Sequence, residues 1–198
     1  MAARQPPAPQ PSRSTRPAWI DDILRGRPAG LNALLAEHGH ELAEYVRALV
    51  SEDDPRLAQV YEDVLVDILR QLRLASDRHN GRLRLFTFES AARTVRRRHA
   101  WIFQSHGGTG SRVRAPMRDI AKLKDPLPAE LRRALAGLTA GERELLCLRF
   151  RFGFDYDQIS EILKEARVAF EDRLMAARER FRARLLGVEP SDRYAAVH

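Results

Sequence analysis

From Trp19 onward apolar side chains recur at helical spacing: Leu31, Leu34 and Leu35, then Leu42, Tyr45, Val46 and Leu49, with Gly39 as a predicted weak point or break. The clearest pattern follows. Leu57, Val60, Tyr61, Val64, Leu65, Ile68, Leu69 and Leu72 fall at i, i+3, i+4 and i+7, which predicts one long helix with a continuous apolar face that needs a packing partner. Ser51 to Pro55, SEDDP, marks its start: Ser or Asp can cap free backbone N–H groups, the acids suit the positive end of the helix dipole, and Pro55 fits a first turn. After a polar turn at Ser76 to Gly81, RLRLFTFESAARTVRRRHAWIF begins with strand-like alternation. Phe88, Ala91, Ala92 and Val95 then share one helical face, so the segment is read as helix.

Residues 1–18 hold five prolines and almost no large apolar side chain, too little to offset the entropy of ordering, and are read as a disordered tail. Residues 104–126 open with a Gly-rich, basic stretch, Gln104 to Pro116, long enough to separate two domains. Beyond them, short helices are predicted with breaks at Gly137 to Thr139 and at Phe152 to Phe154, and helix to Leu186. No segment sustains period-two alternation. The expected fold is all-α: two small helical domains, residues 19–103 and 127–187, joined by a flexible linker at 104–126 and followed by a C-terminal tail at 188–198.

The chain of 198 residues is 44% hydrophobic and 7% aromatic, which fits small cores built from Leu, Val, Ile and Ala. Its net charge is +7, and all but Lys122, Lys124 and Lys164 of the 34 basic side chains are Arg. Arg donates two parallel hydrogen bonds to phosphate, although Arg richness also serves intramolecular ion pairs. By segment, residues 19–80 carry −5 and residues 81–100 carry +5, so two different contact surfaces are expected. The lone Cys147 excludes an internal disulfide. No apolar run approaches the roughly 18 residues of a membrane span, and a cytoplasmic protein is expected.

Enzyme signatures fail on inspection. HGGTGSR at His106 to Arg112 lacks the Lys-Ser/Thr ending and the preceding strand of a phosphate loop. His38 and His40, two apart, point to different sides of a helix and do not share a metal. Cys147 reads as a buried thiol beside Leu145 and Leu148, with no basic neighbour to activate it. No catalytic residue, metal or cofactor is assigned. The informative group is Arg93, Arg96, Arg97, Arg98 and His99 beside Phe86, Phe88, Trp101 and Phe103: guanidinium groups neutralise phosphates, and aromatics stack on unpaired bases. The same basic run also complements the negative end of a helix dipole, and the aromatics also serve as core.

In this order, the segments resemble bacterial RNA polymerase sigma factors of the short extracytoplasmic-function, sigma-70-like type. The most specific part is Leu127 to Leu163, LPAELRRALAGLTAGERELLCLRFRFGFDYDQISEIL, which follows the opening of that family's fourth region; the resemblance spans about residues 31 to 186. It implies a second domain built as a helix-turn-helix bundle, winged-helix-like in class. It places Leu57 to Leu72 at the family's core-binding helix and Arg84 to His99 at its promoter-melting helix. Candidate polymerase-binding residues are then Val60, Tyr61, Asp63, Val64, Asp67 and Ile68. Candidate DNA-binding residues are Arg93, Arg96, Arg97, Arg98, Arg167, Arg173, Arg178 and Arg180. The implied partners are core RNA polymerase, promoter DNA and an anti-sigma factor.

The departures are specific. The core-binding helix reads Gln59, Val60, Tyr61, Glu62, Asp63 where the family often has Asp-Leu-Val-Gln-Glu. In the melting helix, Arg84 and Glu89-Ser90-Ala91 replace the common Trp and Ala-Arg-Asn. The region-four turn reads Lys164, Glu165, Ala166, Arg167, all good helix formers, and Ile159, Leu163, Ala166, Phe170, Leu174, Ala177, Phe181 and Leu185 step by four and three through it. Periodicity accepts a turn or one unbroken helix. If the turn forms, the recognition helix starts near Val168 with Glu171 and Asp172 where phosphate is normally approached. Two readings follow: an initiation factor that directs polymerase to promoters, and a sigma-like interaction protein that has lost promoter reading and titrates a regulator or a polymerase surface.

Overall fold

The computed structural model describes residues 17–74, 82–104 and 129–187. Nearly all of the segments predicted as tails and linker lies outside these residues; of the predicted N-terminal tail, Pro17 and Ala18 are described, and Ala18 already opens a helix. The described chain is all-helical. Its first group of helices is α1 (Ala18–Leu24), α2 (Pro28–Leu34), α3 (His40–Leu49), α4 (Leu57–Leu74), α5 (Leu83–Arg98) and α6 (Trp101–Gln104). Its second is α7 (Ala129–Ala136), α8 (Ala140–Leu146), α9 (Tyr156–Leu163) and α10 (Arg167–Leu186).

Pro28 opens α2 where its missing N–H costs nothing, and Gly30 lets α2 lie against α1: a Cβ there would stand 2.5 Å from the Ile23 nitrogen. Gly39 does not break the chain's course. Residues Leu35–Gly39 form a π-helical turn that carries α2 into α3 with helical torsions throughout. The widened turn lets the Tyr61 hydroxyl donate to the Gly39 carbonyl at 3.2 Å. The start of α4 also differs by about a turn from the predicted one. Asp54 accepts from the Arg56 N–H at 2.9 Å, Pro55 stays in the preceding turn, and the helix runs from Leu57. Leu57, Val60, Val64, Ile68 and Leu72 are buried, with Tyr61, Leu65 and Leu69 packed beside them, as the periodicity predicts. Their partner is α5, whose Phe88, Ala91, Ala92 and Val95 are fully buried. Each large side chain in such a seam contributes about 1.5–3 kcal/mol.

In the second group both predicted breaks are present. Thr139 and Glu142 close a reciprocal capping box at the head of α8, and Asp155 and Gln158 close another at the head of α9. A π-helical turn, Cys147–Arg151, extends α8, and Gly153 at φ 71° turns the chain toward α9.

At Lys164 the chain turns. Its backbone is left-handed, φ 56° and ψ 35°, the Ser160 carbonyl accepts from the Lys164 and Glu165 N–H groups, and α10 starts at Arg167. A left-handed non-glycine residue costs roughly 1–2 kcal/mol. The turn folds α10 back so that Phe170, Leu174 and Ala177 are buried, with Phe170 stacked on Tyr156 at 6.3 Å. Burying Phe170 and Leu174, about 1.5–3 kcal/mol each, outweighs the backbone cost.

The two groups of helices share one core. Phe88 of α5 lies 4.8 Å from Phe152 and 4.9 Å from Phe154, with Tyr45 of α3 at 5.6 Å, measured between ring centres. Helix α5 packs on α9, and α3 on α8.

Candidate nucleic-acid and partner interface

The basic end of α5 is where helix formation and charge meet: Arg96, Arg97 and Arg98 occupy its last turn, favourable to the dipole. Packing then treats them differently. Arg96 makes two hydrogen bonds to the Glu144 carboxylate, 3.1 and 2.7 Å, and its guanidinium lies 5.3 Å from the Phe103 ring centre. Arg97 is exposed and makes no ion pair among the described residues, whereas Arg98 reaches Asp63 at 3.6 Å. Arg93 donates to Ser90 at 3.0 Å and sits 3.8 Å from Asp67. The neighbouring aromatics are also engaged: Phe86 and Phe88 are buried, and Arg56 covers the Trp101 ring at 3.4 Å.

On α10, Arg167 bonds Glu171 at 3.1 Å and lies over the Tyr156 ring, Arg173 pairs with Glu165, and Arg180 pairs with Glu142. Arg178 is exposed without an ion pair among the described residues. The first turns of α10 offer solvent Val168, 81% exposed, and Asp172. Of the eight arginines proposed for DNA, Arg97 and Arg178 are therefore the ones that present unpaired charge; the others face carboxylates of the same chain.

The six residues implied for polymerase split by burial. Val60, Val64 and Ile68 are wholly inside, Tyr61 is half-buried on Gly39, Asp63 lies 3.0 Å from the His99 imidazole, and Asp67 faces Arg93. The face that α4 offers outward is instead Glu62, Val66, Arg70 and Leu74, with Val66 56% and Leu74 72% exposed.

The sequence reading missed the residues that join the two groups. Glu144 is only 1% exposed, and besides Arg96 it accepts the Tyr45 hydroxyl at 2.5 Å. Burial raises the Glu144 pKa against the opposing pull of Arg96, and burial next to Glu144 pushes Tyr45 well above its ordinary value. Arg143 donates to the Ala48 and Leu49 carbonyls at 2.6 and 2.9 Å, satisfying the end of α3. Arg84 bonds Glu41 twice at 2.8 Å and the Phe152 carbonyl at 2.7 Å. One signal was present: Ala140, Glu144 and Leu148 stand at i, i+4, i+8 on the buried stripe, so a carboxylate occupies a core position. Cys147 is only partly buried, and Arg143 and Arg151 stand near it, contrary to the expectation of a buried thiol without a basic neighbour; desolvation nevertheless outweighs their pull and lifts the thiol to about 12. His38 is buried and His40 exposed, so they do not converge, and among the described residues no His/Cys/Asp/Glu group is arranged to hold a metal. Among the same residues no helix is long and apolar enough to cross a membrane. The loop HGGTGSR lies outside them.

This arrangement of helices is similar in fold to that of a solved bacterial sigma factor. Among the solved structures it resembles is the sigma factor RpoE from Bartonella quintana, crystallised in complex with the anti-sigma factor NepR: TM-score 0.53 and 22% identity, covering 80% of this chain and 98% of that one. No protein-family model and no curated protein matches the chain.

Proposed function

We propose that the chain is a sigma-factor-like transcription initiation factor that binds core RNA polymerase and directs it to promoter DNA. The supporting observation is the fold: the chain parallels RpoE across 98% of that protein, and its region-four phrase, Leu127 to Leu163, runs through α7, α8 and α9. Arg97 and Arg178 supply free charge for phosphate; α9, the Lys164 turn and α10 form the helix-turn-helix; the exposed Val66 and Leu74 face of α4 meets the polymerase. RpoE was solved with an anti-sigma factor, and a partner of that kind is part of the proposal. Reconstitution with core polymerase, followed by run-off transcription from genomic fragments, tests docking and promoter choice together. Discrete transcripts that depend on the chain are expected; absence of core binding at any salt removes the reading.

The second reading, a sigma-like protein that titrates a regulator or polymerase surface, draws on the acidic start of α10. Glu171 and Asp172 repel phosphate where a recognition helix approaches it. It requires weak duplex binding without sequence preference; sharp protection of one promoter refutes it.

A further inference from the structure

We propose that the exposed side of α10 reads bases with an apolar side chain and a carboxylate, Val168 and Asp172, and holds phosphate with Arg178 and Arg182, so that the duplex it selects presents a thymine methyl near a cytosine amino group. The inference rests on the helix-turn-helix part of the sigma reading and names what that helix recognises. The head of α10 stands clear of the body: Ala166, Arg167, Val168 and Ala169 are all exposed, Val168 at 81%, and Phe170 is the first residue buried. Charge at that head is mostly neutralised. Glu171 accepts from Arg167 at 3.1 and 3.4 Å, and Arg173 pairs with Glu165, so of the four charged side chains in the first two turns only Asp172 makes no ion pair among the described residues.

What bases offer in the major groove decides the rest. A free carboxylate needs a donor, and cytosine presents its N4 amino group there without an acceptor beside it, whereas adenine sets N7 next to its amino group, and guanine and the thymine carbonyl present acceptors. Val168, one turn earlier on the same side of the helix, has only methyl groups to offer, and the matching feature of a base edge is the thymine methyl. Four helical residues rise about 6 Å and stacked bases repeat about every 3.4 Å, which sets the thymine and the cytosine about two base pairs apart for a helix laid along the groove. Holding a carboxylate against DNA needs cations close by to offset phosphate repulsion. Arg178 and Arg182 supply them further along the exposed side: both are exposed, and neither makes an ion pair among the described residues. Arg178 lies six residues beyond Asp172, about 9 Å along the axis, which brings it to a phosphate flanking the bases.

The test selects duplexes from a random-sequence pool with the full chain, alone and saturated with core polymerase, and then measures affinity and its salt dependence on the selected duplex. The variants change exposed positions only, so the fold is kept. A motif with thymine and cytosine about two base pairs apart is expected. Replacing that thymine by deoxyuridine removes one methyl and should weaken the parent about fourfold while leaving Val168→Ser unchanged. Asp172→Asn should exchange cytosine for adenine at its position, by at least about fivefold, because an amide side chain bonds adenine N6 and N7 together. The double change Arg178→Ala with Arg182→Ala should weaken every duplex alike and reduce the salt slope by about two, with the motif unaltered. The proposal is overturned by a pool that yields no motif in either arm, by a parent indifferent to deoxyuridine, or by an unchanged salt slope in the double variant. It is overturned equally if Asp172→Asn tightens all duplexes without a new preference, since Asp172 then only repels phosphate. Failure of the sigma reading is distinct: the chain then selects its motif without binding core polymerase, whereas a chain that binds core and shows none of these preferences loses only this proposal.

Discussion

Phe88→Ala tests the shared core most directly. The ring is fully buried and stands between α3 and the start of the segment that leads into α9, with Phe152, Phe154 and Tyr45 within 5.6 Å, centre to centre. Truncating such a side chain removes its transfer energy and leaves a cavity that neighbours fill only partly, about 3–5 kcal/mol. Three edge or tilted ring pairs are lost together, and their share, about 0.5–1.5 kcal/mol each, lies largely within that total. A protein of this size shifts its Tm by about 2–4 °C per kcal/mol, so a fall of about 6–20 °C is expected. Urea unfolding should be followed by far-UV circular dichroism and by tryptophan fluorescence, since Trp19 and Trp101 both report on the first group. Because Phe88 bridges the groups, the two signals, coincident in the parent, are expected to separate in the variant. The exposed control Val66→Ala should stay within about 0.5 kcal/mol of the parent. A loss below about 1 kcal/mol with coincident transitions would refute the bridging role.

Ile68→Asp places an unpaired carboxylate in the α4–α5 seam and is expected to leave the chain unfolded or insoluble, while Val66→Asp, one face away, remains soluble; gel filtration separates the two outcomes. Thr139→Ala removes the hydroxyl half of the α8 capping box and should cost about 1 kcal/mol in denaturant unfolding. Lys164→Gly relieves the left-handed backbone and gives up only an exposed pair with Glu89. Thermal melting should show a gain of up to about 1 kcal/mol, and a loss would mean that Lys164 is not strained.

Local physics made several elements readable in advance. The apolar face of α4 and the helical nature of α5 follow from spacing alone, and the breaks at 137–139 and 152–154 follow from Gly and from capping residues a few positions away. Gly39 marked a weak point but not a break: a π turn ends there and keeps the chain helical while shifting its register, with the Tyr61 hydroxyl on the Gly39 carbonyl. The buried Glu144 left a trace, a carboxylate on an apolar stripe, without indicating what would neutralise it.

What near neighbours encode is which segments are helical, where they start, and which side of each is apolar. Where charges end up is another matter. Arg96 and Glu144 are 48 positions apart, Tyr45 and Glu144 are 99, and nothing along the chain ranks Glu144 above the other acids as a partner. Packing α3 and α5 against α8 and α9 removed water from that carboxylate, and only then did its pairing with Arg96 become obligatory. The turn at Lys164 was settled in the same way: periodicity accepted either course, and burial of Phe170 and Leu174 beneath a folded-back α10 chose between them.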